Sequence, residues 1–162
     1  MKKLRSSNTR RFLKKDSPKE SSVDFAFNKL MIYVSQRNHS VKELRAKLRR
    51  FYEDEHIDLA ISRAETHGWL MKPEELALQA SLTLHRKKKG FQFIRQFLKE
   101  KGLPEVAKDP LIEIEKAEKL LSKFKFPLSW AQESKARQFL SRRGFDFETI
   151  SATLRQMKEQ AK

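Results

Sequence analysis

The side chains in this sequence that are best spaced for chemistry are basic. Lys42, Arg45 and Arg49 follow one another at i, i+3 and i+7, which places all three on one side of a helix. Ammonium and guanidinium groups in such a row bind phosphate or carboxylate groups and do not by themselves break bonds. The chemistry that this spacing predicts is the binding of a polyanion.

Side chains that could catalyse a reaction are too dispersed to form a site. The four histidines are spread along the chain, and none lies at metal-ligand spacing with an acid beside it. Glu113, Glu115 and Glu118 alternate with Lys116 and Lys119, which is typical of ion pairing along a helix. Cysteine, a glycine-rich phosphate loop and a GxSxG motif are all absent. We therefore predict a protein that is not an enzyme and uses no metal or cofactor.

The chain as a whole is strongly basic. Its 162 residues include 36 Lys and Arg against 21 Asp and Glu, a formal net charge of +15. Residues 1–22 hold eight Lys and Arg against two acids, hence +6, which leaves +9 for the remainder. Such a surface attracts nucleic acid, an acidic protein groove or anionic lipid. Residues 1–22, poor in apolar side chains, are predicted to be a disordered basic tail.

Nothing in the sequence predicts a membrane segment. No run approaches the roughly 18 apolar residues that a spanning helix needs. The basic N-terminus is not followed by the apolar stretch of a secretory signal. Together with the absence of cysteine, this favours a protein of the reducing cytoplasm without a membrane partner.

Helix start signals recur along the chain and predict an all-α fold. Lys, Leu, Glu, Arg, Ala and Gln are abundant and there are only 4 Gly, a composition that favours helix. Capping boxes at Ser40–Glu43 and Ser129–Gln132 each predict a helix start. Pro73 and Pro110 fit the first position of two further helices.

Helix ends and inward faces can be predicted in the same way. Gly68 and Gly102 are typical left-handed caps, and Pro127 is expected to end the helix that Pro110 begins. Residues 103–110 are too short and proline-broken for more than about a turn. Helical spacing predicts that Phe51 and Phe147 point into the core.

The tetrapeptide RQFL occurs at 95–98 and again at 137–140, and it reveals a repeat. With Leu48, Leu98 and Leu140 superposed, an arginine coincides three residues earlier in every copy, and the flanking helices match in type. We predict an elongated, curved array of three imperfect three-helix repeats, since units this small bury their apolar faces by stacking. The predicted divisions are a tail at 1–22 and repeats at 23–71, 72–109 (its third helix stunted) and 110–162.

Basic side chains recur opposite the apolar face of each second helix, and stacking would align them into one track. The repeated Arg45, Arg95 and Arg137 could equally be solvated surface residues, although solvation does not require one sign of charge. Aromatic side chains near these residues, Phe91, Phe93, Phe97 and Trp130, are candidates for base stacking, with core packing as the stronger alternative. The predicted track is Lys42, Arg45, Arg49, Arg86, Lys87, Lys88, Lys89, Arg95, Lys99, Arg137, Arg142 and Arg143.

The ordered motifs of the three repeats resemble those of the RecX family, the regulators of the RecA recombinase. The stretch 67–103 is similar to the central block of that family, with its spaced R-G-I-L-G-L pattern as Arg86, Gly90, Ile94, Leu98, Gly102 and Leu103. The opening motif S-x2-E-L-R-x2-L stands at 40–48, and the closing motif F-L-x2-R-G-F-x4-I stands at 139–150. The resemblance spans about 24–154.

The resemblance implies a bent helical array, a monomer without enzymatic activity, that binds RecA–DNA filaments. Such a protein would inhibit ATP hydrolysis, strand exchange and filament growth in recombination and repair. Its basic track would face single- or double-stranded DNA, without sequence preference, or an acidic RecA surface. The alternative is a free-standing DNA- or RNA-binding helical protein. A helix-turn-helix reader is disfavoured because the basic stripe precedes the turn and the last helix carries three acids.

Overall fold

The structure is a computed structural model and describes residues 22–160, within which the chain forms eight α-helices and no strand. The all-α prediction is therefore confirmed, and the predicted tail lies outside the described residues apart from Ser22. The helices are α1 (Val23–Gln36), α2 (Val41–Leu48), α3 (Asp54–Thr66), α4 (Pro73–Arg86), α5 (Phe91–Lys101), α6 (Pro110–Leu121), α7 (Trp130–Arg142) and α8 (Phe147–Gln160).

The local helix signals act as the sequence predicts. Both capping boxes form: the hydroxyls of Ser40 and Ser129 accept from backbone N–H groups three residues on. Gly68 and Gly102 adopt positive φ, which ends α3 and α5 at the expected positions. Residues 103–109 form no helix, so α6 follows α5 without a third helix between them.

Three predictions about boundaries and burial are wrong. α6 ends at Leu121, well before Pro127, because a turn closed by the Phe124 N–H on the Leu121 carbonyl packs Phe124 and Phe126 against the core. Phe51 is 45% exposed, since α2 stops at Leu48 and Tyr52 fills the core instead. Phe147 is 79% exposed.

The buried apolar residues form three clusters, each within one group of consecutive helices. The first lies among α1–α3, the second between α4 and α5, and the third among α6–α8. In the outer groups the first and third helices pack together, α1 on α3 and α6 on α8. This grouping is what three repeats would produce, and the exact repeat boundaries stay a prediction.

The second helices of the three groups follow one another end to end. The C-terminus of α5 lies against the N-terminus of α2: the Ser40 hydroxyl donates to the Lys101 carbonyl at 2.6 Å. Lys101 Nζ also bonds Glu43 Oε1 at 2.6 Å. We call this contact the α2–α5 interface. Because a helix C-terminus is partly negative and an N-terminus partly positive, the arrangement aligns the two dipoles favourably.

Stability at the α2–α5 interface should depend on pH through Glu43. Burial raises the pKa of this carboxyl, but hydrogen bonds from Arg37, Lys101 and the Ser40 backbone outweigh burial and lower it to about 2 from 4.5. A depressed folded-state pKa gives stabilisation that is present above about pH 5 and lost as the pH falls towards 2.

We expect the wild type to lose about 2 kcal/mol from Glu43 between pH 6 and pH 3, and the Glu43→Gln variant to lose correspondingly less. Urea unfolding at both pH values measures the difference. The exposed Glu55 in the first turn of α3 supplies the matched substitution, Glu55→Gln, for the same comparison. If the stability of Glu43→Gln depended on pH as that of the wild type does, the assignment of this dependence to Glu43 would be contradicted.

A second end-to-end contact, the α5–α7 interface, is made by backbone. The N–H groups of Gly90 and Gln92 donate to the carbonyls of Arg143 and Gly144, both at 2.9 Å. The Phe91 N–H donates to Glu113 Oε2 at 2.9 Å. The first turn of α5, whose amides have no partners within the helix, is thus capped by α7 and α6.

The same interface contains a buried charge network. Lys116 is 6% and Glu113 1% exposed. Lys116 Nζ donates to Glu113 Oε1 at 2.5 Å, to the Lys89 carbonyl at 2.7 Å and to His85 Nδ1 at 2.8 Å. All three ammonium hydrogens therefore have acceptors, which a buried lysine requires. Burial, and after it the Lys116 charge, lower the pKa of His85, so His85 accepts as a neutral ring.

Candidate polyanion-binding surface

The arginine that recurs in all three groups is ion-paired each time. Arg45 bonds Asp58 at 2.5 Å, Arg95 bonds Glu105 at 2.8 Å and Arg137 bonds Glu133 at 2.8 Å. Arg45 joins α2 to α3, and Arg95 joins α5 to the segment that follows it. A neighbouring carboxylate cancels much of the attraction that each guanidinium would exert on a polyanion. Arg49 is paired as well, with Asp54 at 2.8 Å.

The predicted track contains two isolated lysines. Lys42 and Lys99 are exposed, and neither has a carboxylate within ion-pair distance in residues 22–160. The stem of Lys42 packs beside Gly102 at the α2–α5 interface, so its charge lies at the rim of that contact. These lysines extend the positive surface without concentrating it.

The remaining predicted residues lie on two segments, 86–89 and 142–143, that adjoin the α5–α7 interface, and Arg86 and Lys87 also line a groove with Glu43 on the side of α2. The hydrogen bond from Gly90 to the Arg143 carbonyl sets the 86–89 segment directly against the end of α7. None of these side chains has a carboxylate partner within the described part of the chain. We call this set the α5–α7 cation cluster: Arg86, Lys87, Lys88, Lys89, Arg142 and Arg143.

Aromatic rings support two members of the α5–α7 cation cluster. Lys89 Nζ lies 4.3 Å from the centroid of Phe93, and the Arg143 guanidinium lies 5.1 Å from that of Phe139. Such contacts hold a cation in place without neutralising it. Phe93 is 37% exposed, whereas Phe91 and Phe97 are half-buried. Trp130, the fourth candidate for stacking, is 86% exposed at the start of α7.

Two lysines that sequence reasoning missed adjoin the cluster. Lys135 lines a groove of about 390 Å³ with Gln138, Phe139, Arg142 and Arg143. This groove, which we call the cationic groove, contains no acidic side chain. Lys123 also contacts the Phe139 ring, with Nζ 4.6 Å from its centroid. The spacing of Lys135, Gln138 and Arg142, at i, i+3 and i+7, is the signal that could have found the first lysine.

The α5–α7 cation cluster can bind anions. Unpaired cations need not break an existing ion pair to bind phosphate, and several together attract a polyanion from a distance. Residues 22–160 contain no group of three His, Asp or Glu side chains that could hold a metal ion. No helix in that range is long and apolar enough to cross a membrane.

Fold and surface together define a class: helical groups in series, joined end to end, that carry a cationic surface. Comparison with known proteins identifies the family. The regulatory protein RecX of Prosthecochloris aestuarii is 32% identical over 146 residues, which cover 83% of this chain and 95% of that protein. The chain belongs to the RecX family, as the motif resemblance predicted. No family model matches it.

Solved structures agree on the fold. The crystal structure of RecX from Lactobacillus salivarius superposes with a TM-score of 0.71 at 21% identity, covering 85% of this chain and 97% of that one. A second RecX crystal structure gives a TM-score of 0.67 at 18% identity, covering 81% and 72%. At these identities the likeness establishes the shared helical architecture.

Proposed function

We propose that this protein regulates the RecA recombinase by binding RecA–DNA filaments and inhibiting ATP hydrolysis, strand exchange and filament growth. Membership of the RecX family supports the general role. The observation that carries the mode of action is the α5–α7 cation cluster, whose side chains have no carboxylate partners in residues 22–160. A filament offers two polyanionic surfaces to such a cluster, DNA phosphate and acidic protein.

The proposed action is steric and electrostatic, without turnover of a substrate or need for a cofactor. The protein would act as a cytoplasmic monomer and bind single- and double-stranded DNA without sequence preference, since phosphate contacts are the same for every sequence. Serially joined units would let it follow an extended filament. The paired arginines at 45, 95 and 137 would then serve mainly to fix the second helices in position.

The proposed regulatory role is tested by RecA ATPase activity on single-stranded DNA with this protein titrated in. We expect inhibition at amounts at or below one protein per RecA monomer. Activity that stays unchanged well above stoichiometric amounts would remove the regulatory role. DNA binding that persisted in that case would favour a free-standing nucleic-acid-binding protein.

A further inference from the structure

Phe147 is a large apolar side chain that the fold leaves in solvent. It is the first residue of α8 and is 79% exposed. It lines a groove of about 420 Å³ between α7 and α8, together with Arg137, Gln138 and Arg142. We call this the α7–α8 groove.

The helix itself does not require an aromatic residue at this place. In α3 the first residue is Asp54, and the fourth is the buried Ile57. In α8 the first residue is Phe147, and the fourth is the buried Ile150. An acid suits the positive end of a helix dipole, whereas an exposed phenyl ring gains nothing there. Neither core packing nor capping therefore explains Phe147.

Arg142 connects this ring to the cationic surface. It lines the α7–α8 groove on one side and the cationic groove, with Lys135 and Arg143, on the other. Of the two acids beside Phe147, Asp146 lies 2.6 Å from Lys108 Nζ and Glu148 lies 3.5 Å from the same ammonium group, which offsets one of the two negative charges. The exposed ring thus shares its groove with Arg142, which has no carboxylate partner in residues 22–160, and with Arg137, which is paired with Glu133.

We propose that the α7–α8 groove is a binding site for single-stranded nucleic acid, in which an unpaired base stacks on Phe147 while the adjacent phosphate lies against Arg142. The inference deepens the proposed function and rests on its nucleic-acid contact. A phenyl ring beside a cationic groove is the combination that holds single strands without reading sequence, since every base has a π-face. Duplex DNA keeps its bases stacked within the helix and can use only the cations.

The site is tested by the affinity of the full chain for a labelled oligothymidylate and for a blunt hairpin duplex whose loop is a linker without bases. We expect Phe147→Ala to weaken binding of the single strand on the order of tenfold, and Phe147→Trp to bind at least as well as the wild type. Binding of the hairpin should be unchanged in both variants. Phe25→Ala is the matched control, because Phe25 lies on α1, is 57% exposed and lines neither groove.

Each outcome decides the inference. Single-strand affinity that is unchanged in Phe147→Ala, or lowered equally for the hairpin or in Phe25→Ala, would overturn the stacking site and leave the proposed regulation intact. A wild type that binds neither DNA would overturn the stacking site and the nucleic-acid contact on which it rests, whereas the RecA ATPase measurement alone decides the regulatory role. The expected result is a loss confined to the single strand and to Phe147→Ala, with a melting temperature equal to that of the wild type.

Discussion

Replacing Gly90 by alanine is expected to destabilise the protein by about 3 kcal/mol or more, a large loss for one methyl group. A Cβ at this position would overlap the backbone of Gly144 and Phe145, and no side-chain movement can relieve that clash. The α5–α7 interface would have to open, and both inter-helix backbone hydrogen bonds would be lost. Urea-induced unfolding measures the change.

Gly68→Ala separates this effect from the ordinary cost of replacing glycine. Gly68 has a φ of +68°, but nothing lies within 4 Å of the added Cβ. Only backbone strain opposes alanine there, at a cost of about 1 kcal/mol. A Gly90→Ala variant no less stable than Gly68→Ala would show that the backbone at Gly90 is not in close contact with that of Gly144 and Phe145. Since the interface brings together the two halves of the α5–α7 cation cluster, Gly90→Ala should also weaken polyanion binding.

Glu113→Ala is expected to be the second severe change, with a loss of about 3–5 kcal/mol. The variant would leave Lys116 buried with one ammonium hydrogen unpaired, and it would take the acceptor from the Phe91 N–H. Removing one partner of a buried pair costs far more than the pair contributes, because the remaining charge stays desolvated. Thermal or urea unfolding of the full chain gives the magnitude.

The control for Glu113→Ala lies on the same helix, α6. Glu115 pairs with Lys119 at i, i+4, and both side chains are well exposed. An exposed pair of this kind contributes about 0.3–0.5 kcal/mol, so Glu115→Ala should be nearly neutral. Equal effects of the two substitutions would contradict the buried network. The sequence predicted that Glu113 and Glu115 both form ion pairs along the helix, and only the structure shows that the environments of the two side chains differ.

Sequence signals that involve only a few neighbouring residues predicted several helix starts and ends correctly in this chain. The capping boxes at Ser40 and Ser129 and the glycine caps at Gly68 and Gly102 depend only on neighbours in sequence, and each forms as predicted. Phe147 was misjudged because spacing alone does not show where a helix face meets the core. Its exposure depends on how α8 lies on α6 and α7.

The interpretation of the basic side chains changed as well, because it also depends on contacts between parts of the chain that are distant in sequence. The repeat identified Arg45, Arg95 and Arg137, but two of the carboxylates that pair with them come from outside the second helix. Six of the cations without carboxylate partners in residues 22–160 lie on two segments that are far apart in sequence and are joined at Gly90 by backbone hydrogen bonds. A contact of that kind leaves no local periodicity, so the sequence predicted all six residues as part of the track and only the structure shows that their two segments adjoin.

The salt dependence of affinity for duplex DNA tests most directly whether the α5–α7 cation cluster is the binding surface. The comparison uses two variants that each remove two positive charges, Lys88→Gln/Arg142→Gln from the cluster and Arg45→Gln/Arg95→Gln from the ion-paired positions. We expect the cluster variant to lower the slope of log K against log salt by about 2, as the loss of two phosphate contacts requires. The ion-paired variant should leave the slope near that of the wild type. A slope lowered only by Arg45→Gln/Arg95→Gln, or equally by both variants, would contradict the assignment of the surface.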